Sequence, residues 1–174
     1  MAKKWNEAGK AFSDAANLNI QTGDKLGAAR HLIDASTCYK KENVQEAINV
    51  TLKAIEIYVD RGNFNMAAKQ HQAIAEMYEK DVKPCDSLNA LKHYTQAAEF
   101  YQGEGVSATA NRCQLSAAKH AAELEQYQKA IEIYETVAAS SIDNQLLKYN
   151  AKDHFFRAAI CHMLVDPLNA QVSV

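Results

Sequence analysis

The chain has 174 residues and a formal net charge of −2, with 48% hydrophobic and 23% charged residues. This length is sufficient for one domain with a substantial core, and so small a net charge gives no reason to expect a nucleic-acid partner. The 2 prolines and 6 glycines leave most of the backbone free to be helical.

The cysteines and the hydropathy pattern predict an intracellular protein without a metal site. Cys38, Cys85, Cys113 and Cys161 are far apart and form no C-x-x-C pair, so we expect apolar buried side chains and not zinc ligands. No segment approaches the ~20 apolar residues of a membrane span. The N-terminus lacks the apolar core of a signal peptide, so the expected location is cytoplasmic.

A repeated pattern of small and large side chains organises the sequence. A small residue is followed four positions later by a larger one, and three positions further by a second small or apolar residue. These offsets place the side chains on one stripe of a helix, and the alternation of sizes lets two helices interlock. The pattern begins at Ala8, Ala28, Ala47, Ala67, Ala90, Ala110 and Ala151.

The stripes and the segments between them predict eight helices. Turn-forming residues such as Gly23, Gly62 and Gly105 separate the stripes. Asp86 and Ser107 are the predicted N-caps of the helices that follow them. In chain order the predicted helices span about 4–21, 25–40, 44–61, 64–80, 86–102, 108–124, 127–139 and 147–165.

The short connections predict that neighbouring helices are antiparallel. Equivalent alanines, Ala28, Ala67, Ala110 and Ala151, are separated by 39, 43 and 41 residues. The tetratricopeptide repeat has a period of ~34, so a longer period indicates longer helices in the same kind of stack. We therefore predict one all-α domain over 1–174, a right-handed superhelical stack of antiparallel helix hairpins with an extended concave surface.

The sequence contains no recognisable catalytic or cofactor-binding motif. Phosphate-binding loops, dinucleotide-binding glycine motifs and the H-E-x-x-H zinc motif are all missing. The six histidines are spread over five predicted helices, and the adjacent Cys161 and His162 point about 100° apart on a helix. We expect a protein that is not an enzyme and needs no cofactor.

Four cations recur with the period of the hairpins. Arg30, Lys69, Arg112 and Lys152 are 39, 43 and 40 residues apart, and each lies near the start of an even-numbered helix. A stack would align them in a row. Only Arg30 has a carboxylate one turn away, at Asp34, and a cation near a helix N-terminus is mildly unfavourable. The row therefore indicates either a partner-binding site or salt bridges between helices.

Long segments of the chain resemble the soluble NSF attachment proteins, most closely their alpha and beta branch. The resemblance runs from about Ala2 to Ala170. It is carried by the segments Leu124–Glu135 (LEQYQKAIEIYE), Leu146–His162 (LLKYNAKDHFFRAAICH), Gln45–Asn49, Ala54–Tyr58 and Ala67–His71.

The resemblance implies an adaptor for vesicle trafficking and membrane fusion. Proteins of this family coat the acidic four-helix SNARE bundle and recruit the ATPase NSF, which takes the bundle apart. Basic positions implicated in the family match Lys69, Arg112 and Lys152, whereas Arg30 belongs to the row of cations only. A further family arginine, just before Phe64, is Asn63 here. The resemblance also implies peripheral association with membranes.

The resemblance further implies that both ends of the family's fold lie outside these 174 residues. Family members begin with a helix and an apolar loop that touches membrane, and they end with a helical bundle that docks on NSF. We therefore expect only indirect membrane contact and doubtful engagement of NSF. We also expect exposed apolar side chains on the last helix, with self-association, at Phe155, Phe156, Ile160, Met163 and Leu164.

The alternative interpretation is a generic tetratricopeptide-like scaffold that binds a short peptide. Such a scaffold gathers its basic residues in one groove, typically around a terminal carboxylate. A cation repeated in every hairpin instead suits a long, rod-like acidic partner, and the sequence favours the adaptor for that reason.

Overall fold

The computed structural model describes residues 4–142 and 148–166, and within these ranges the chain forms eight α-helices and no strand. The predicted all-α class is confirmed, and the helix boundaries agree with the prediction to within three residues. The bounds are α1 (Trp5–Gln21), α2 (Lys25–Tyr39), α3 (Val44–Asp60), α4 (Phe64–Lys80), α5 (Ser87–Gly103), α6 (Ser107–Glu123), α7 (Tyr127–Ile142) and α8 (Lys148–Val165).

Left-handed residues end three of the odd-numbered helices. Gly23, Gly62 and Gly105 follow α1, α3 and α5 with φ values of +85°, +68° and +74°. Glycine is favoured there because it has no Cβ to clash in this region. After α6 the same role falls to Glu125, at φ +58°. The resulting short turns fold each helix back along its predecessor.

Side-chain caps begin four helices. The N-cap residues of α2, α3, α4 and α5 each accept a hydrogen bond from the backbone N–H three residues later, at 2.9–3.4 Å. They are Asp24, Asn43, Asn63 and Asp86. The prediction for Asp86 is therefore confirmed, and the prediction for Ser107 is wrong. The N-cap of α6 is Val106, which cannot cap with its side chain, and Ser107 is the first helical residue.

The core is built mainly from alanine. Each helix packs chiefly on the helices before and after it in the chain. Ala28, Ala67 and Ala110, which begin the repeated stripe, are at most 2% exposed. Small side chains let the helix axes approach closely, and buried tyrosines such as Tyr58 and Tyr134 fill the wider spaces.

The last helix leaves much of its apolar surface exposed. Ala151, Ala158 and Cys161 are buried on α8, but all five apolar residues predicted to be exposed are so. Phe156 is 67% exposed and Met163 is 60% exposed. The predicted exposure is confirmed, while self-association remains a prediction. Among the described helices, none is both long and apolar enough to cross a membrane.

Candidate partner-binding face

The stack presents two faces, one formed by the even-numbered helices and one by the odd-numbered helices. A groove over α3 is lined by residues of α2 and α4, and a groove over α5 by residues of α4 and α6. Glu76 of α4 lines both grooves, so both open on the same side. We call this side the even face. The grooves over α2 and α6 open on the other side, the odd face, between odd-numbered helices.

Three of the four predicted site residues lie in the same register on the even face. Arg30, Lys69 and Arg112 each follow the first buried alanine of their helix by two residues, and all three are exposed. About one turn after each of these cations comes a residue that lines a groove of the even face. Those residues are Ile33, Ala73 and Ser116. Arg112 itself lines the groove over α5.

Lys152 is exposed too, but its register differs by one residue. It directly follows the buried Ala151, so its counterpart on α6 is Asn111 and not Arg112. Asn111 lies on the side of α6 that faces α7, where its Nδ2 donates to the Ser140 hydroxyl at 3.4 Å. A step of one residue turns a side chain by about 100°. The structure therefore brings three of the predicted cations into one row and sets Lys152 apart from it.

The row of cations is not neutralised by the described part of the protein. None of the four predicted residues makes a salt bridge with a carboxylate in residues 4–142 or 148–166. The sequence left open that interhelical salt bridges explain the row, but none of these four cations forms one within the described residues. Exposed cations without partners are available to an acidic ligand.

At the opposite end of the even face two lysines are paired with carboxylates. Lys40 contacts Asp81 at 3.0 Å, and Lys119 contacts Glu79 at 2.9 Å, so each pair joins two even-numbered helices. Burial by itself raises the pKa of Glu79, but hydrogen bonds from Lys119 and Tyr94 outweigh it and hold that pKa below its usual value. The cations of the row thus place free positive charge at the N-terminal ends of α2, α4 and α6.

Asn63 has a structural role at the position where the family resemblance leads one to expect arginine. Its Oδ1 accepts the Met66 backbone N–H at 3.4 Å and so begins α4. This carboxamide contributes no charge to the even face. The charge near the start of α4 comes instead from Lys69.

Three titratable side chains of the interior are held in their neutral forms. His71 and His93 are both 6% exposed, and their Nδ1 atoms are 2.9 Å apart. Burial, with a smaller contribution from neighbouring charges, lowers the pKa of each to about 4. Burial also raises the pKa of Cys113 to about 11, so its thiol stays protonated. Within the described residues, no three histidine, cysteine or acidic side chains are grouped to hold a metal ion.

Comparison with solved structures supports the helical-repeat architecture. The chain resembles a signal transduction ATPase from Pyrococcus horikoshii that carries a tetratricopeptide repeat sensor. The TM-score is 0.52 at 18% sequence identity, over 93% of this chain and 28% of that one. A likeness at this level of identity concerns the fold alone.

Comparison with known sequences gives the family. The chain is 51% identical over 174 residues to the mouse alpha-soluble NSF attachment protein and to the bovine beta-soluble NSF attachment protein, and it spans 58% of each. It is also 36% identical over 166 residues to the vesicular-fusion protein SEC17 of Komagataella phaffii. This alignment covers 94% of this chain and 55% of that protein. The model of the family described as soluble NSF attachment protein matches residues 1–174, and the chain is a member of that family.

Proposed function

We propose that this chain is an adaptor that binds the acidic four-helix SNARE bundle and links it to NSF in vesicle trafficking and membrane fusion. The observation that carries the proposal is the row of exposed cations on the even face, Arg30, Lys69 and Arg112, which have no carboxylate partner in the described residues. The family names of its relatives, NSF attachment and vesicular fusion, agree with this role.

The spacing of the row supports a rod-like ligand over a short peptide. Its three members lie on three different helices, with grooves over α3 and α5 between those helices. A pocket for a peptide terminus needs its cations close together. A helical bundle laid across α2, α4 and α6 instead meets one cation on each helix. Lys152 lies in a different register, so it contributes less to binding of the bundle than the three cations of the row.

The adaptor works through binding and not through chemistry of its own. Attraction between exposed charges speeds encounter and selects an acidic partner, and it is screened over ~8 Å at physiological salt. The complex keeps the chain at the membrane surface through the SNARE proteins, which gives it a cytoplasmic and peripheral location.

The proposal is tested by titrating the purified 174-residue chain with an assembled, soluble SNARE bundle and measuring the dissociation constant by calorimetry. We expect binding that weakens steeply as sodium chloride is raised from 50 to about 300 mM, because surface charges carry the attraction. A neutral helical bundle of the same size is the control. Absence of binding at low salt, or equal binding to both bundles, would contradict the proposal.

A further inference from the structure

The groove over α3 contains a polar side chain without a partner. Gln70 of α4 is 6% exposed and lines this groove, which has a volume of about 300 Å³. Its side-chain amide makes no hydrogen bond to any group in the described part of the chain. The amide atoms themselves reach the solvent of the groove, so they are available to a ligand that enters it.

The other polar groups of the groove are already satisfied. Thr51 donates its hydroxyl to Ser36 at 2.7 Å, and Ser36 in turn donates to the Ala47 carbonyl at 3.1 Å. Lys40 is held by Asp81. Lys41, also in the groove lining, is exposed and makes no salt bridge with a described carboxylate. The groups free to bind a ligand are thus the Gln70 amide and the Lys41 ammonium.

We propose that the groove over α3 receives a glutamate side chain from the acidic helical partner. The side-chain methylenes would pack on Ile33 and Met77, which also line the groove. The carboxylate would accept a hydrogen bond from the Gln70 amide and face the Lys41 ammonium, an arrangement that suits an anion. The volume equals that of about ten water molecules, which is ample for one side chain. This inference rests on the proposed function.

An acidic occupant fits the charges of the groove better than a basic one. Glu76 is the carboxylate in its lining, and it already accepts a hydrogen bond from Gln72 at 3.1 Å and lies 3.8 Å from Lys80. It is therefore less available to a cation from a partner. Ala73, one turn after Lys69 on α4, also lines the groove, so a bundle held by the row of cations passes over it.

The groove over α5 does not repeat this arrangement. The residue equivalent to Gln70 there, 43 positions later, is Cys113. Its thiol lies 3.8 Å from the Gln72 side-chain oxygen. Among the described residues, the α6 side of this groove has no side-chain amide at the position that corresponds to Gln70. The structure therefore assigns glutamate recognition to the groove over α3 and not to every groove of the even face.

The test compares Gln70→Leu with Gln96→Leu, a matched change in a half-buried glutamine of the odd face. With the soluble SNARE bundle as probe, we expect Gln70→Leu to weaken binding about tenfold, the usual size for a hydrogen bond to a charged group, without lowering the unfolding midpoint. Gln96→Leu should leave binding unchanged. Lys41→Ala, at an exposed site that the fold does not need, should weaken binding and act non-additively with Gln70→Leu.

Gln70→Glu separates an acidic from a basic occupant. It places a carboxylate where the proposal puts the partner's carboxylate, so binding should fall further than in Gln70→Leu. Tighter binding by Gln70→Glu would overturn the proposal, as would equal affinities for unmodified chain, Gln70→Leu and Lys41→Ala. A failure of the unmodified chain to bind the bundle would instead contradict the proposed function itself, so the two failures are distinguishable.

Discussion

The stacked pair of His71 and His93 predicts that the fold loses stability in mild acid. Their ring centroids are 5.2 Å apart, and His71 also stacks on Phe100. In the neutral pair one Nδ1 donates to the other across 2.9 Å. Protonation of both rings would set two donors against each other and bury charge, which is why the folded protein resists it.

The size of the effect follows from the two pKa values. Each pKa is lowered from 6.5 to about 4 in the folded protein. As the pH falls below 6.5, the unfolded chain binds protons that the folded chain excludes, so stability is full above that pH and declines toward pH 4. Between pH 7.5 and pH 5 the loss is about 2 kcal/mol for each histidine. A pair therefore removes a large part of the 5–15 kcal/mol typical of a domain.

The assay is urea unfolding at pH 7.5 and pH 5, followed by circular dichroism, on the unmodified chain and on the double variant His71→Phe/His93→Leu. The variant replaces both partners by apolar groups, so little stability should be lost at pH 7.5. The free energy of unfolding should fall by about 4 kcal/mol more in the unmodified chain than in the variant between the two pH values. An equal fall in both proteins would refute the reasoning, because the lost stability would then come from other groups.

Three further outcomes are expected. Asn63→Ala removes the N-cap of α4 and should lower the free energy of unfolding by about 1 kcal/mol, while the exposed Asn49→Ala on α3 should change it less; equal losses would contradict the capping role. Light scattering at rising concentration should show self-association through α8 that Phe156→Glu and Met163→Glu abolish, and a monodisperse unmodified chain would count against it. The 174-residue chain, which spans 58% of its alpha relative, should bind SNARE bundles without stimulating ATP hydrolysis by NSF; restored disassembly would show the expectation to be wrong.

The helices and their turns could be predicted because they depend on local chemistry. Gly23, Gly62 and Gly105 end helices for a reason that resides in one residue, the lack of a Cβ. The N-cap of α6 was harder to predict from the sequence. Ser107 is a strong capping residue, but the chain enters the helix one residue earlier, at Val106. In the α5–α6 turn the Val106 backbone N–H donates to the Tyr101 carbonyl at 2.8 Å, a contact that sequence propensity does not contain.

The candidate site could be predicted only in part. A period near 40 residues predicted the row of cations. It could not show that Lys152 is one residue out of register, because the register is counted from the first buried alanine of each helix, and burial of Ala151 is seen only in the structure. Pairing of Lys40 with Asp81 joins residues on different helices and has no local signal. The unpartnered amide of Gln70 likewise becomes visible only when α2 and α4 form the walls of one groove.

The most direct test of the account is a charge reversal on the even face compared with one on the odd face. The variant Arg30→Glu/Lys69→Glu/Arg112→Glu and the control Lys10→Glu/Lys53→Glu/Lys129→Glu carry the same change in net charge, and all six residues are exposed. Calorimetric titration with the SNARE bundle should show lost binding in the first and nearly unchanged binding in the second, with both proteins folded. Equal loss in both would mean that net charge alone governs binding, which would contradict the even face as the site.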